Sequence, residues 1–80
     1  MGARPQHSHR YRRLCELLRT WREHAGLSQR ALADLLKKPP SYVHKCEVAD
    51  RRIDPLELVD WCRACGVAPV DAVREVEQLR

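Results

Sequence analysis

The stretch GLSQRALADLLKKPPSYVHKCE, Gly26 to Glu47, decides how this chain folds. It reads as one short helix, a tight break and a second short helix. Ser28 is a natural N-cap, and Leu27 with Leu32 forms a hydrophobic staple across it. Leu32, Leu35, Leu36 and Ala33 make the buried side of the first helix, about Gln29 to Leu36, and the small Ala33 lets another helix approach closely. Pro39-Pro40 cannot lie in a helix interior, but Pro40 fits a first helical position. The second helix then runs to about Glu47. Only Val43 and Cys46 are apolar there at i, i+3 spacing, so Ser41, Tyr42, His44 and Lys45 are expected on or near its outer face. A helix this short and polar is not stable alone. It must be held by the first, which leaves its exposed face free for use.

Three more helices flank this pair. One is expected from about Tyr11 to His24, with Leu14, Leu17, Leu18, Trp21 and Ala25 on one face and Gly26 as its left-handed stop. Another starts at Asp54-Pro55-Leu56-Glu57, a capping box with proline at the first position and an Ile53–Leu58 staple. Its inward face is Leu58, Trp61, Cys62 and Cys65, and Gly66 ends it. The last begins near Pro69 and runs to about residue 79. Its Val70, Val73, Val76 and Leu79 either pack on the core or pair with a second copy. No strand-like alternation is evident, so the class is all-α. Residues 1–10 read as a flexible basic arm and 11–80 as one domain, with the helix pair at about 28–47.

At 80 residues a single small core is possible, and a partner subunit would add stability. No apolar run approaches the roughly 20 residues of a membrane span. The first 13 residues are polar and basic with no apolar segment behind them, so no secretory leader is expected and the cytoplasm is the expected location. The net charge is +4. Residues 1–13 hold four arginines and no acid, residues 14–53 eight bases and five acids, and residues 54–80 three bases and six acids. A basic half suits a polyanion, and an acidic third suits solvent or a protein partner.

Cys15, Cys46, Cys62 and Cys65 invite a metal or disulfide assignment, and Cys62 and Cys65 have C-x2-C spacing. A zinc site needs two more close ligands. All four fall on the apolar stripes, where a free thiol acts as a small hydrophobe. His7 and His9 could bind a metal, but they are expected to belong to a loose polar tail. No metal and no cofactor are expected, with metal or thiol sensing through Cys62 and Cys65 as the weaker alternative. No paired carboxylates, phosphate-cradling glycine loop or nucleophile beside a base is present, so no enzyme is expected.

A short helix held against another, with polar and basic residues outward, is the layout of a DNA-reading helix-turn-helix. Here the stretches LRTWREHAGLSQRALADLL (18–36), SYVHKCE (41–47), RRIDPLEL (51–58) and ACGV (64–67) together resemble the Cro/C1-type (lambda repressor-like, xenobiotic-response-element) helix-turn-helix family. The resemblance covers about residues 14–73. It implies a compact five-helix repressor-like domain whose third helix is the recognition helix. Gln29 matches the family's backbone-contacting glutamine, Ser41 and Lys45 stand at base-reading positions, and Arg22 with Glu47 matches a structural arginine–glutamate pair.

Three departures bear on readout. Lys37 replaces the usual turn glycine, Pro40 replaces a frequent glutamine and supplies no amide to adenine, and Ala49 stands where a glycine often follows. Readout then leans on Ser41, Tyr42 and Lys45, with Lys38 and His44 beside them. Lysine donates to guanine O6 and N7 or touches a phosphate, while Tyr42 either meets a thymine methyl or phosphate or shields the core edge. Lys37, Lys38, Arg51 and Arg52 suit phosphates, which position without specifying. For each lysine and arginine a solvated surface residue is the plain alternative. The expected function is a sequence-specific DNA-binding regulator acting as a homodimer on a near-palindromic duplex. The alternative is an antitoxin-like or other protein-interaction module, with the acidic C-terminal third engaging a protein and DNA bound weakly or not at all.

Overall fold

Ser8 opens the first helix: its backbone is extended, and its hydroxyl accepts from the Tyr11 N–H at 3.1 Å. The computed structural model describes residues 8–80, and those residues form five helices: α1 (His9–His24), α2 (Gln29–Leu36), α3 (Pro40–Glu47), α4 (Pro55–Ala64) and α5 (Pro69–Glu77). Among the described residues there is no strand. Helix α1 thus starts two residues before the expected Tyr11. His9 and Arg10 belong to it, because Ser8 supplies the cap that a polar tail concealed. Residues 1–7, with His7 and most of the expected arm, lie outside the described residues.

The local signals act as the residues dictate. Ser28 caps α2 by accepting from Ala31 N–H at 3.0 Å. At α4, Asp54 Oδ1 accepts from Glu57 N–H at 2.8 Å and Glu57 Oε1 accepts from Asp54 N–H at 3.0 Å, closing the capping box. Four helices end in one backbone pattern, a left-handed residue followed by a bond back across the last turn. Gly26 and Gly66 supply it at φ 73°. Lys37 (φ 57°) and Ala49 (φ 62°) supply it with a Cβ. The closing bonds are Leu27 N–H to Arg22 O, Lys38 N–H to Ala33 O, Asp50 N–H to Lys45 O and Val67 N–H to Cys62 O.

The core gathers Leu18 of α1, Leu32 and Ala33 of α2, Val43 and Cys46 of α3, Trp61 and Cys62 of α4 and Ala72 of α5. Trp61 is fully buried, and its indole N–H donates to Leu18 O at 3.1 Å, so its one polar atom is satisfied. A smaller cluster joins Tyr11 and Cys15 of α1 to Ala49. All four cysteines are buried free thiols. Burial raises each thiol pKa, that of Cys65 to about 11, so they stay protonated and pack as small apolar groups.

Several expected faces are corrected. Leu35 is 58 % exposed, because Leu36 is the leucine at the end of α2 that packs on the core. Ala25 is exposed, since it is the C-cap of α1 rather than part of its apolar stripe. On α5 the buried residue is Ala72 with Val76 beside it, and Val70 and Val73 stand 65 % and 57 % exposed. Tyr42 is only 7 % exposed, inside the core rather than on the outer face of α3.

Candidate nucleic-acid interface

Helix α3 is gripped on one side and open on the other. Tyr42, Val43 and Cys46 are buried, and Ser41, His44 and Lys45 are exposed. Helix α2 holds it through the break Lys37-Lys38-Pro39. Lys37 turns the chain, Pro39 is the extended residue before the helix, and Pro40 sits at N1, where a missing N–H costs nothing.

The end of α3 is locked to α1. Arg22 Nε donates to Glu47 Oε2 at 2.6 Å, and Nη2 donates to Oε1 at 3.1 Å. Arg22 Nη1 also donates to Leu27 O at 2.8 Å. The two side chains are 10 % and 3 % exposed. This fork raises the Arg22 pKa, chiefly through its bond to Glu47, and both charges are matched where water is scarce. Gln29, at the start of α2, is partly exposed and donates its amide to Glu47 Oε1 at 3.0 Å. Helices α1, α2 and α3 therefore meet on one carboxylate.

Lys38, Pro39, Ser41, Tyr42, Lys45 and Arg51 surround one open cleft of about 300 Å³ at the start of α3. Lys38 Nζ lies 5.2 Å from the Tyr42 ring centre. The Arg51 guanidinium lies 4.8 Å from the same ring, and Trp61 packs on it at 6.4 Å. Burial raises the Tyr42 pKa, so its hydroxyl is neutral at working pH. The structure thus brings Lys38, Ser41, Lys45 and Arg51 together, with Tyr42 as the floor beneath them. His44 is exposed on the same helix.

Arg51 and Arg52 leave the loop after α3 in different directions. Arg51 forks onto Glu57, Nη1 to Oε1 at 3.1 Å and Nη2 to Oε2 at 3.0 Å. Arg52 is exposed, with its guanidinium 4.4 Å from the Tyr11 ring centre. Tyr11 braces this loop from beneath: its hydroxyl donates to Arg51 O at 3.3 Å and accepts from Ile53 N–H at 3.0 Å. Burial pushes the Tyr11 pKa up to about 12.

Two of these partnerships leave no signal in the sequence. Glu57 was legible as half of a capping box, but nothing in its spacing tied it to Arg51. Tyr11 is 42 residues from Ile53, and no local pattern joins them.

A recognition-type helix presented on its polar edge, seated on a partner helix and ringed by basic side chains, is the site of a helix-turn-helix DNA-binding domain. The chain belongs to the helix-turn-helix domain family whose sequence model matches residues 13–76. It is similar in structure to an XRE-family like protein from Pseudomonas syringae pv. tomato str. DC3000, with TM-score 0.80 and 41 % identity over 85 % of this chain and 83 % of that one. It is also similar to the clp gene regulator ClgR from C. glutamicum, with TM-score 0.71 and 26 % identity over 80 % of this chain and 83 % of that one. No curated protein matches the chain in sequence. No helix among the described residues is long and apolar enough to cross a membrane.

Proposed function

We propose that this domain is a sequence-specific transcriptional regulator that binds double-stranded DNA as a homodimer and acts in the cytoplasm. The observation that carries the proposal is the division of α3: Tyr42, Val43 and Cys46 anchor it, and Ser41, His44 and Lys45 remain exposed on its free edge. A helix so held enters a major groove with its N-terminal residues at the base edges. Ser41 and Lys45 meet base edges, with Lys45 suited to guanine O6 and N7 and His44 beside it. Lys38 and Arg52 meet phosphates, and Gln29 approaches the backbone from the start of α2. Pro40 contributes shape and no hydrogen bond. The role is binding, not catalysis.

Two observations support the homodimer: the scale of the contact and the exposed edge of α5. One helix of eight residues touches few base pairs, and two copies double the contact on a near-palindrome. The exposed pair Val70 and Val73 gives α5 an apolar edge for a second copy. The similarity to the clp gene regulator ClgR supports a regulatory role.

The test is a selection of fragmented genomic DNA by the purified protein at fixed, near-physiological salt, followed by sequencing. Salt is fixed because a basic protein holds any duplex when salt is low. An enriched inverted repeat with half-sites about 10 base pairs apart is the expected result. No enriched sequence overturns specific readout and favours a protein-interaction module, in which the α5 edge and the acidic C-terminal third engage a different protein.

A further inference from the structure

Arg51 stands beside α3, where a basic side chain suits a phosphate, yet its guanidinium is hydrogen-bonded within the chain. Its N–H donates to Lys45 O at 3.2 Å, so the residue closes the end of α3. Its guanidinium lies over the Tyr42 ring of the same helix. Nη1 donates both to Arg52 O at 2.8 Å and to Glu57, and Nη2 donates to Glu57. Its carbonyl accepts from Tyr11 of α1. One residue therefore joins α1, α3 and the first turn of α4.

Glu57 is the fixed end of this joint. Its Oε1 already accepts from Asp54 N–H as part of the capping box, so the carboxylate is oriented before Arg51 reaches it. Its side chain is 17 % exposed, against 41 % for Arg51. Arg51 holds the Glu57 carboxyl below the usual carboxylate range, chiefly through their hydrogen bonds.

From this geometry we infer that Arg51 and Glu57 are a positioning pair for DNA readout: Glu57 clamps Arg51 across Tyr42 and thereby sets the angle at which α3 offers Ser41 and Lys45. This rests on the DNA-reading function proposed above. The sign of one substitution separates the clamp from simple electrostatics. Glu57 is a negative charge beside a basic face, so by charge alone E57Q strengthens binding to any duplex. A clamp gives the opposite result on the selected sequence, because the substituted amide keeps the shape of the side chain and loses the charged fork.

The test compares wild type, E57Q, R51Q and R51K on two 30-base-pair probes, one carrying the selected repeat and one with the same bases shuffled, across a salt series. Circular dichroism melts establish that each variant is folded at the assay temperature. The expected result is a loss of tenfold or more on the repeat for E57Q, R51Q and R51K alike, with the shuffled probe bound as before or more tightly and the salt slope unchanged. R51K fails because an ammonium does not fork. A different pattern overturns the inference: R51K binding as wild type does, R51Q weakening both probes and lowering the salt slope by about 1 per half-site, and E57Q binding both more tightly. That pattern makes Arg51 a phosphate contact. Amide NMR of the free protein tests the pair without DNA, so a failure of the DNA reading stays distinguishable. E57Q is expected to shift the amides of residues 41–45, and unmoved α3 amides overturn the positioning role whatever the protein binds.

Discussion

Arg22 of α1 and Glu47 at the end of α3 form a two-bonded ion pair at 2.6 and 3.1 Å with almost no exposure to water, and Gln29 of α2 donates to the same carboxylate. The seat of α3 is therefore electrostatic as well as apolar. Removing one partner strands the other charge where solvent does not reach it. Arg22→Ala is expected to cost about 3–5 kcal/mol, a large part of the stability of a domain this small. Urea unfolding measures the loss, and a loss below about 1 kcal/mol would mean the pair is solvated in solution.

Lys37 is an exposed lysine in the left-handed conformation at the end of α2, a state that costs an L-residue roughly 1–2 kcal/mol. Glycine removes that strain but gives the unfolded chain more freedom. Lys37→Gly is expected to stabilise the fold by about 0.5–1 kcal/mol and to raise Tm by several degrees. The same change removes a positive charge near α3, so it is expected to weaken binding to any duplex slightly. A lowered Tm in a melting experiment would contradict the strain assigned to this turn.

The folded Glu57 carboxyl titrates below its ordinary value, mainly because of Arg51. The unfolded chain, where Glu57 keeps a value of about 4.3, takes up this proton first as pH falls. The stabilisation is complete above that unfolded value and is lost as pH falls through the folded one. E57Q has no such proton to bind. The stability gap between wild type and E57Q is expected to be widest near pH 7 and to shrink toward pH 3. Urea midpoints at several pH values measure it, and a constant gap would rule out the charged fork as its source.

Val73 is 57 % exposed on α5, with Val70 one turn away. If the proposed homodimer pairs through α5, Val73→Asp is expected to leave only monomer in sedimentation equilibrium, where wild type is dimeric, while changing monomer stability by no more than about 0.5 kcal/mol, because the side chain faces water in the single copy. A variant that stays dimeric would move the seam away from α5.

How much of this was legible follows from distance along the chain. The caps at Ser28 and Asp54, the stops at Gly26 and Gly66 and the start at Pro40 are local, and each acts as its residue type predicts. Val43 and Cys46 were readable from their spacing. Arg22 and Glu47 came only with the family resemblance, since 25 residues separate them. Tyr42 was ambiguous because its burial depends on Trp61, Lys38 and Arg51, which come from three other segments. Leu35 and Leu36 are adjacent, and only the packed structure decides which of them faces the core. Ser8 was hidden among histidines and arginines, a context that reads as tail. On the candidate site, the exposed edge was readable and the clamp beneath it was not. Its partners sit outside any helical repeat.

If the free edge of α3 reads bases, as proposed, Lys45 is the side chain whose loss should show it. Wild type and Lys45→Ala should be titrated against the selected repeat and a shuffled duplex at one fixed salt concentration. The predicted result is a loss of about 1–3 kcal/mol on the repeat and a much smaller one on the shuffled duplex. Equal losses on both would reduce Lys45 to a phosphate contact, and no loss on either would contradict the assignment of this face to DNA.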